Sequence, residues 1–106
     1  MQVSAADSRA VLTLVGEVDM TTAPELRQQL ADLFGQGVRS VVVDLGGVTF
    51  LDSSGLGALV AAHHEFAGDS GQLKLAAATA QVQRILHITR LGSVLALYDT
   101  VDEASS

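Results

Sequence analysis

Apolar and polar residues run along this chain in blocks whose period switches repeatedly between that of a strand and that of a helix. Ala10-Val11-Leu12-Thr13-Leu14-Val15 is β-branched and apolar and stops at Gly16, which predicts a strand from about Arg9, with Val3 to Ala5 placed to pair beside it. Thr22-Ala23-Pro24-Glu25 then has the form of a capping box, with Thr22 at the N-cap, Glu25 three positions on, and Pro24 in the first turn, where its missing N–H does no harm. The helix it predicts carries Leu26, Leu30, Leu33 and Phe34 on one face and is stopped by Gly35 and Gly37. Val41-Val42-Val43-Asp44-Leu45 shows no alternation, as expected of a strand covered on both faces in the middle of a sheet, and it ends at Gly46-Gly47.

The second half repeats the scheme. Ser53-Ser54-Gly55 opens a helix with Leu56, Leu59, Val60 and Ala67 as its apolar stripe, ending near Gly68-Asp69-Ser70-Gly71. Leu73-Lys74-Leu75-Ala76-Ala77 is a third core strand, followed by a helix from about Thr79 to Thr89 with Val82, Ile85, Leu86 and Thr89 on one face, closed by Leu91-Gly92. Val94 to Tyr98 returns as a strand, and Thr100-Val101-Asp102-Glu103 is a second capping box, heading a short terminal helix. Strands alternating with helices imply a layered α/β domain, with helices packed on a mixed, mainly parallel sheet of four or five strands.

Composition narrows the functional classes. The 106 residues, 48% of them apolar, suffice for one domain spanning residues 1–106 with a single core. Twelve acids against six bases leave a net charge of −6, with Lys74 the sole lysine. That balance argues against direct nucleic-acid binding, which needs basic side chains to displace counterions from phosphate, and suits a basic protein partner. The absence of cysteine excludes disulfides, thiolate metal sites and a cysteine nucleophile, and fits a reducing compartment. Met1 to Asp7 has no basic stretch followed by an apolar one, and no apolar run approaches the roughly 18 residues of a membrane span, so a cytoplasmic protein without membrane association is expected.

The chemistry concentrates in Thr49-Phe50-Leu51-Asp52-Ser53-Ser54-Gly55-Leu56-Gly57. Helix capping alone accounts for an Asp-Ser-Ser string, because these side-chain oxygens accept the unpaired N–H groups of a first turn. One cap needs one oxygen, however, and this turn offers three, while Gly55 and Gly57 each weaken a helix by roughly 1 kcal/mol. A serine hydroxyl at a helix N-terminus, where the dipole favours negative charge, is also a plausible site for phosphorylation. Other candidates are weaker. Asp19, Asp44 and Asp52 lack the ligand spacing of a hard-cation site. His63 and His64, adjacent on a helix, point about 100° apart and are poorly placed for joint ligation. A hydrolase triad would use Ser53 or Ser54 with one of these histidines, yet no Gly-x-Ser-x-Gly elbow is present, and the phosphate-binding glycine loops are absent too. An aspartyl-phosphate receiver would need a lysine beside its phosphate, whereas Lys74 sits inside a strand pattern.

Gly16-Glu17-Val18-Asp19, Thr22-Ala23-Pro24-Glu25-Leu26, Val43-Asp44-Leu45 and Phe50-Leu51-Asp52-Ser53-Ser54-Gly55-Leu56-Gly57, in that order, resemble the signature of the STAS domain of anti-sigma factor antagonists. Val82-Gln83-Arg84-Ile85-Leu86, Leu91-Gly92 and Tyr98-Asp99-Thr100 extend the resemblance over nearly the whole chain. It implies a non-enzymatic partner switch with no cofactor of its own. The unphosphorylated protein would bind an anti-sigma factor that is also a serine kinase and so free the sigma factor. That kinase would use ATP to phosphorylate Ser53 and end the binding, and a metal-dependent serine phosphatase would reverse the modification. The resemblance also implies a partner surface made of Glu17, Asp19, Asp52, Ser53, Ser54, Gly55 and Leu56, with Ser54 and Gly55 shaping the helix start. The alternative is a STAS scaffold in a larger signalling or lipid-transport complex, with no phosphorylation cycle.

Overall fold

Consecutive parallel strands joined by right-handed crossovers keep their connecting helices on one side of the sheet. The structure, a computed structural model describing residues 1–90 and 94–105, has the helices that connect its parallel strands packed in one core on one side of the sheet. The elements are β1 (Gln2–Ala6), β2 (Arg9–Val18), α1 (Ala23–Gly35), β3 (Ser40–Leu51), α2 (Ser53–Ala67), β4 (Gln72–Ala76), α3 (Ala80–Ile88), β5 (Ala96–Tyr98) and α4 (Val101–Ser105). Among the described residues five strands form one sheet in the order β1-β2-β3-β4-β5, in which β1 is antiparallel to β2 and the other neighbours are parallel. The expected mixed, mainly parallel α/β sheet is therefore present, at the upper of the two expected strand counts.

Alternation along the strands divides the interior. Ala10, Leu12 and Leu14 of β2, Val41, Val43 and Leu45 of β3, and Leu73 and Leu75 of β4 join Leu26, Leu30 and Leu33 of α1, Leu59 and Phe66 of α2, and Val82 and Leu86 of α3 in the main core. The opposite face is covered more sparingly, by α4: Ala104 and Val101 pack with Val42, Ala76, Val11 and Tyr98. The uninterrupted Val41-Val42-Val43 run thus has the double burial that its pattern predicts, each residue at most 4% exposed.

Several local expectations need correction. β2 does not stop at Gly16, nor β3 at Gly46-Gly47. Both continue, to Val18 and Leu51, through register shifts between Thr13 and Val15 and between Gly16 and Glu17, with Gly16 at φ +83°. A bulge of this kind inserts a residue without ending the strand, so glycine here bends the ladder and does not terminate it. The Thr22/Glu25 capping box does not form: Thr22 has helical dihedrals and makes no side-chain cap bond, while Pro24 does lie in the first turn. On α2, Ala67 is exposed, and the buried face is instead Gly55, Leu56, Ala58, Leu59, Ala62 and Phe66, wider than the expected stripe because the helix packs on both the sheet and α1. Thr89 is also exposed, its hydroxyl donating back to the Ile85 carbonyl at 2.8 Å. The terminal strand is shorter than expected, Ala96–Tyr98. In the second capping box, Glu103 N–H does donate to Thr100 Oγ1, at 3.1 Å. The expected stop at Leu91-Gly92 lies outside the described residues.

At the end of the sheet where β3 and β4 begin, Arg39 ties the corner together. Its Nε donates to Asp69 Oδ2 at 2.6 Å, its Nη1 to the carbonyls of Phe34 and Val38, and its guanidinium lies 3.9 Å from the centre of the Phe34 ring. Phe34 in turn meets Phe66 edge to face, centroids 5.1 Å apart. Phe66 is fully buried, so Phe66→Ala is expected to cost about 3–5 kcal/mol through lost burial and the cavity left behind. The check is a lower urea midpoint at unchanged slope.

Candidate functional site

β2 and β3 run side by side to their C-terminal ends, pairing Glu17 with Phe50 and Val18 with Leu51. Asp52 N–H then donates to the Val18 carbonyl at 3.1 Å, so the start of α2 is bonded directly to the end of β2. This pairing brings the two acidic segments of the sequence, Glu17 to Asp19 and Asp52 to Ser54, onto one edge. Gly55 is the residue on which the junction closes. A β-carbon there would stand 2.6 Å from Leu51 Cδ1, 2.7 Å from Val18 Cγ1 and 2.9 Å from the Val18 carbonyl oxygen, closer than any side chain tolerates.

The cap of α2 belongs to Asp52 alone. It has extended dihedrals, and its Oδ1 accepts from the N–H groups of Ser54 (2.8 Å) and Gly55 (3.1 Å). Among the described residues neither the Ser53 nor the Ser54 hydroxyl makes a hydrogen bond; Ser53 is exposed and Ser54 half-buried. The apparent excess of oxygens thus resolves into one structural carboxylate and two uncommitted hydroxyls. Leu56, expected on the partner surface, is 4% exposed and packs in the core, and Gly55 is buried too, so these two shape the site from beneath and offer no side-chain surface.

The neighbouring turn is held by Asp19. Its Oδ1 accepts from Thr21 N–H at 2.9 Å, Thr21 Oγ1 at 2.6 Å and Thr22 N–H at 3.3 Å, and its carbonyl accepts from Thr22 and Ala23 N–H. The Thr22 hydroxyl accepts from Asp19 N–H at 2.9 Å and donates to the Glu17 carbonyl at 3.2 Å. This is an Asx-type turn in which the aspartate, three residues before the expected cap, organises the entry to α1. The Thr21 hydroxyl, and next the Thr21 N–H, hold the Asp19 carboxyl below its ordinary value of 3.8, against a smaller opposing effect of desolvation. Asp19 is therefore anionic at neutral pH, beside Asp52 and the exposed Glu17.

Sequence reasoning missed the apolar part of this edge. Val15 and Met20 are each 74% exposed and Phe50 42%. Val15 and Glu17 project from one face of β2, and Phe50 stands opposite Glu17, so apolar and acidic side chains are interleaved. Phe50 reads as core in a run such as Val48-Thr49-Phe50-Leu51; only the register that pairs it with Glu17 turns it outward. Exposed apolar side chains rimmed by polar ones are one feature that interaction sites share. A concavity of about 290 Å3 lies elsewhere, at the start of β2 and β3, lined by residues including Ser4, Arg9, Val11, Ser40 and Ser105. Asp44 is turned to its own strand, accepting from Gly46 N–H at 2.9 Å, and no cluster of three His, Asp or Glu side chains suited to a metal occurs among the described residues. Among the described residues no helix is long and apolar enough to cross a membrane.

Two consequences are measurable. Gly55→Ala is expected to lower stability by about 1–2 kcal/mol in urea unfolding, since overpacking against Val18 and Leu51 outweighs the roughly 1 kcal/mol gain in helix propensity. Because folding lowers the pKa of Asp19, its contribution to stability is complete above pH 3.8 and is lost as the pH falls through the folded-state value. Thr21→Val should raise that value and move the loss to higher pH, as followed by carboxyl-carbon NMR titration.

The sequence profile of the STAS domain matches residues 1–104. The anti-sigma-F factor antagonist RsfB of Mycobacterium tuberculosis is 32% identical over 95 residues, which are 90% of this chain and 77% of that protein. The crystal structure of an anti-sigma factor antagonist from Mycobacterium paratuberculosis superposes with a TM-score of 0.84 at 33% identity, over 97% of this chain and 87% of that one. The Bacillus cell fate determinant SpoIIAA shares the fold in its unphosphorylated form, with a TM-score of 0.84 at 23% identity over 97% of this chain and 90% of that one. Its phosphorylated form does so at 0.76 and 22%, over 97% and 94%. A five-stranded mixed sheet with an Asp-capped helix at its acidic edge, matched by profile and by relatives over most of its length, makes this chain a STAS domain of the anti-sigma factor antagonist family.

Proposed function

We propose that this protein is a phosphorylation-controlled partner switch: in its unmodified form it binds an anti-sigma factor through the edge formed by Glu17, Asp19, Phe50, Asp52 and Ser53, and phosphorylation of Ser53 ends the binding. The observation that carries this reading is the division of labour at α2. Asp52 alone satisfies the cap, and the adjacent Ser53 hydroxyl is exposed and unbonded among the described residues, so it can be modified without unwinding the helix. RsfB and the mycobacterial structure are named as anti-sigma factor antagonists, and SpoIIAA has been solved both with and without phosphate, which supports carrying the same logic to this chain.

The chemistry resides in the partners. A kinase, for which the anti-sigma factor itself is the candidate, directs Ser53 Oγ at the γ-phosphorus of ATP. The serine proton passes to the kinase, the Oγ–P bond forms and ADP leaves. A phosphatase hydrolyses the ester to inorganic phosphate and the original hydroxyl. The protein needs no cofactor for this and works as a substrate and ligand. Phosphate adds about −1.5 to −2 charges to an edge that already holds Glu17, Asp19 and Asp52, and it would be buried against the partner. A basic, partly apolar counter-surface that fits the unmodified edge is then repelled sterically and forced to bury a dianion.

Incubation of the wild-type protein and Ser53→Ala with host lysate and ATP, followed by peptide mass spectrometry and affinity capture, tests this directly. Phosphate is expected on Ser53 of the wild type alone, with the anti-sigma factor retained by Ser53→Ala and lost, by a hundredfold or more in affinity, on phosphorylation. A partner that stays bound equally to unmodified and phosphorylated protein would instead support a scaffold role.

A further inference from the structure

A phosphate on Ser53 needs counter-charge, and the helix start does not supply its usual donors. Ser54 and Gly55 N–H are taken by Asp52 Oδ1, and Leu56 N–H by the Asp52 carbonyl. Beyond the Ser53 N–H itself, only the diffuse attraction of the α2 dipole remains on the helix. One turn further on, Gly57 lies on the same side of α2 as Ser53, since residues four apart stack with β-carbons about 5–6 Å from one another. The space above Gly57 is occupied: Arg27 Nη2, reaching across from α1, lies 3.4 Å from where a β-carbon of Gly57 would be. Arg27 is exposed and, among the described residues, makes no hydrogen bond or ion pair. Three other cations are placed elsewhere. Arg9 stands opposite Ser40 in the strand register at the far end of β2 and β3, Arg39 is bonded to Asp69, and Lys74 donates to the Ala104 carbonyl on the opposite face.

Building on the reading of Ser53 as the phosphorylated residue, we propose that Arg27 is the intramolecular receptor for that phosphate, its guanidinium reaching along the lane that Gly57 leaves open to form a charge-assisted pair with the phosphoserine. Arginine suits the task because its planar fork donates to two phosphate oxygens at once and stays charged throughout the titration of the ester. The arrangement also accounts for Gly57, a residue that weakens its helix by roughly 1 kcal/mol relative to alanine yet keeps the path from α1 to the first turn of α2 unobstructed. On phosphorylation the pair would fasten α1 to the start of α2 and give the phosphate a defined position on the flank of the acidic edge.

The test uses the whole protein with phosphoserine encoded at position 53 during synthesis, so that it depends on no kinase. In 31P NMR titrations the second ionisation of the phosphate, normally near pH 6, is expected about half a unit lower with Arg27 than in Arg27→Gln. Arg27→Lys should recover part of the shift, Gly57→Leu should abolish it by filling the lane, and the Arg27 Nε–H resonance should titrate in step with the phosphorus. Identical phosphate titrations in wild type and Arg27→Gln, or an Arg27 resonance that ignores the phosphate, would overturn the proposal. A purely structural role for Arg27 would lower the melting temperature of modified and unmodified protein alike and leave the titration unmoved. Failure of the switch itself, seen as a partner that ignores the phosphate, would leave these titrations unaffected, so the two ideas fail separately.

Discussion

The parallel pairing of β2 with β3, carried past two irregularities to Val18 and Leu51, is the constraint on which the site depends. Without the extension the two strands would end near Gly16 and Gly47, and the acids of Glu17 to Asp19 would lie in a loop with no fixed relation to Ser53. With it, the Val18 carbonyl anchors Asp52, Gly55 seats on Val18 and Leu51, and the helix carrying Ser53 begins at a set height above the sheet. Bulged strands at a sheet rim commonly re-aim side chains in this way. Here the result is that Glu17 and Phe50 stand side by side facing out.

The two turns that meet at this edge use the same device. Asp52 at the start of α2 and Asp19 before α1 each spend one carboxylate oxygen on the backbone N–H groups that follow, so both turns are held by short local bonds requiring no partner protein. A surface organised beforehand loses less entropy on binding than one that must order itself. It also leaves the Ser53 hydroxyl without a structural hydrogen bond among the described residues, as the proposed switch requires.

Most of the architecture was legible in the residues because strand and helix periods alternate cleanly and the connections are short. The caps were only partly legible. Thr79 and Thr100 cap as their positions suggest, with Val82 N–H and Glu103 N–H as donors, whereas Thr22 does not, since its backbone is already helical and its hydroxyl is engaged instead with the Asp19 N–H and the Glu17 carbonyl. Glycine was the other source of error. Gly16, Gly46 and Gly47 read as strand ends, yet the backbone freedom that permits a stop equally permits a bulge, and cross-strand pairing chooses between them. Arg27 carried no signal at all, because its relation to Gly57 exists only where α1 crosses α2.

By itself, then, the sequence determined the order of elements, the one-sided and two-sided burial of the strands, the acidic character of the chain and the Asp-Ser-Ser-Gly helix start, for these follow from local periodicity, composition and short-range hydrogen bonding. Only the tertiary structure decided that Ser53 is exposed while Ser54 is half-buried, that Phe50 faces outward while Leu56 is buried, and that an arginine from another helix lies beside the serine's own. Those outcomes depend on strand register and helix packing, where a shift of one residue turns a side chain from the core to the surface.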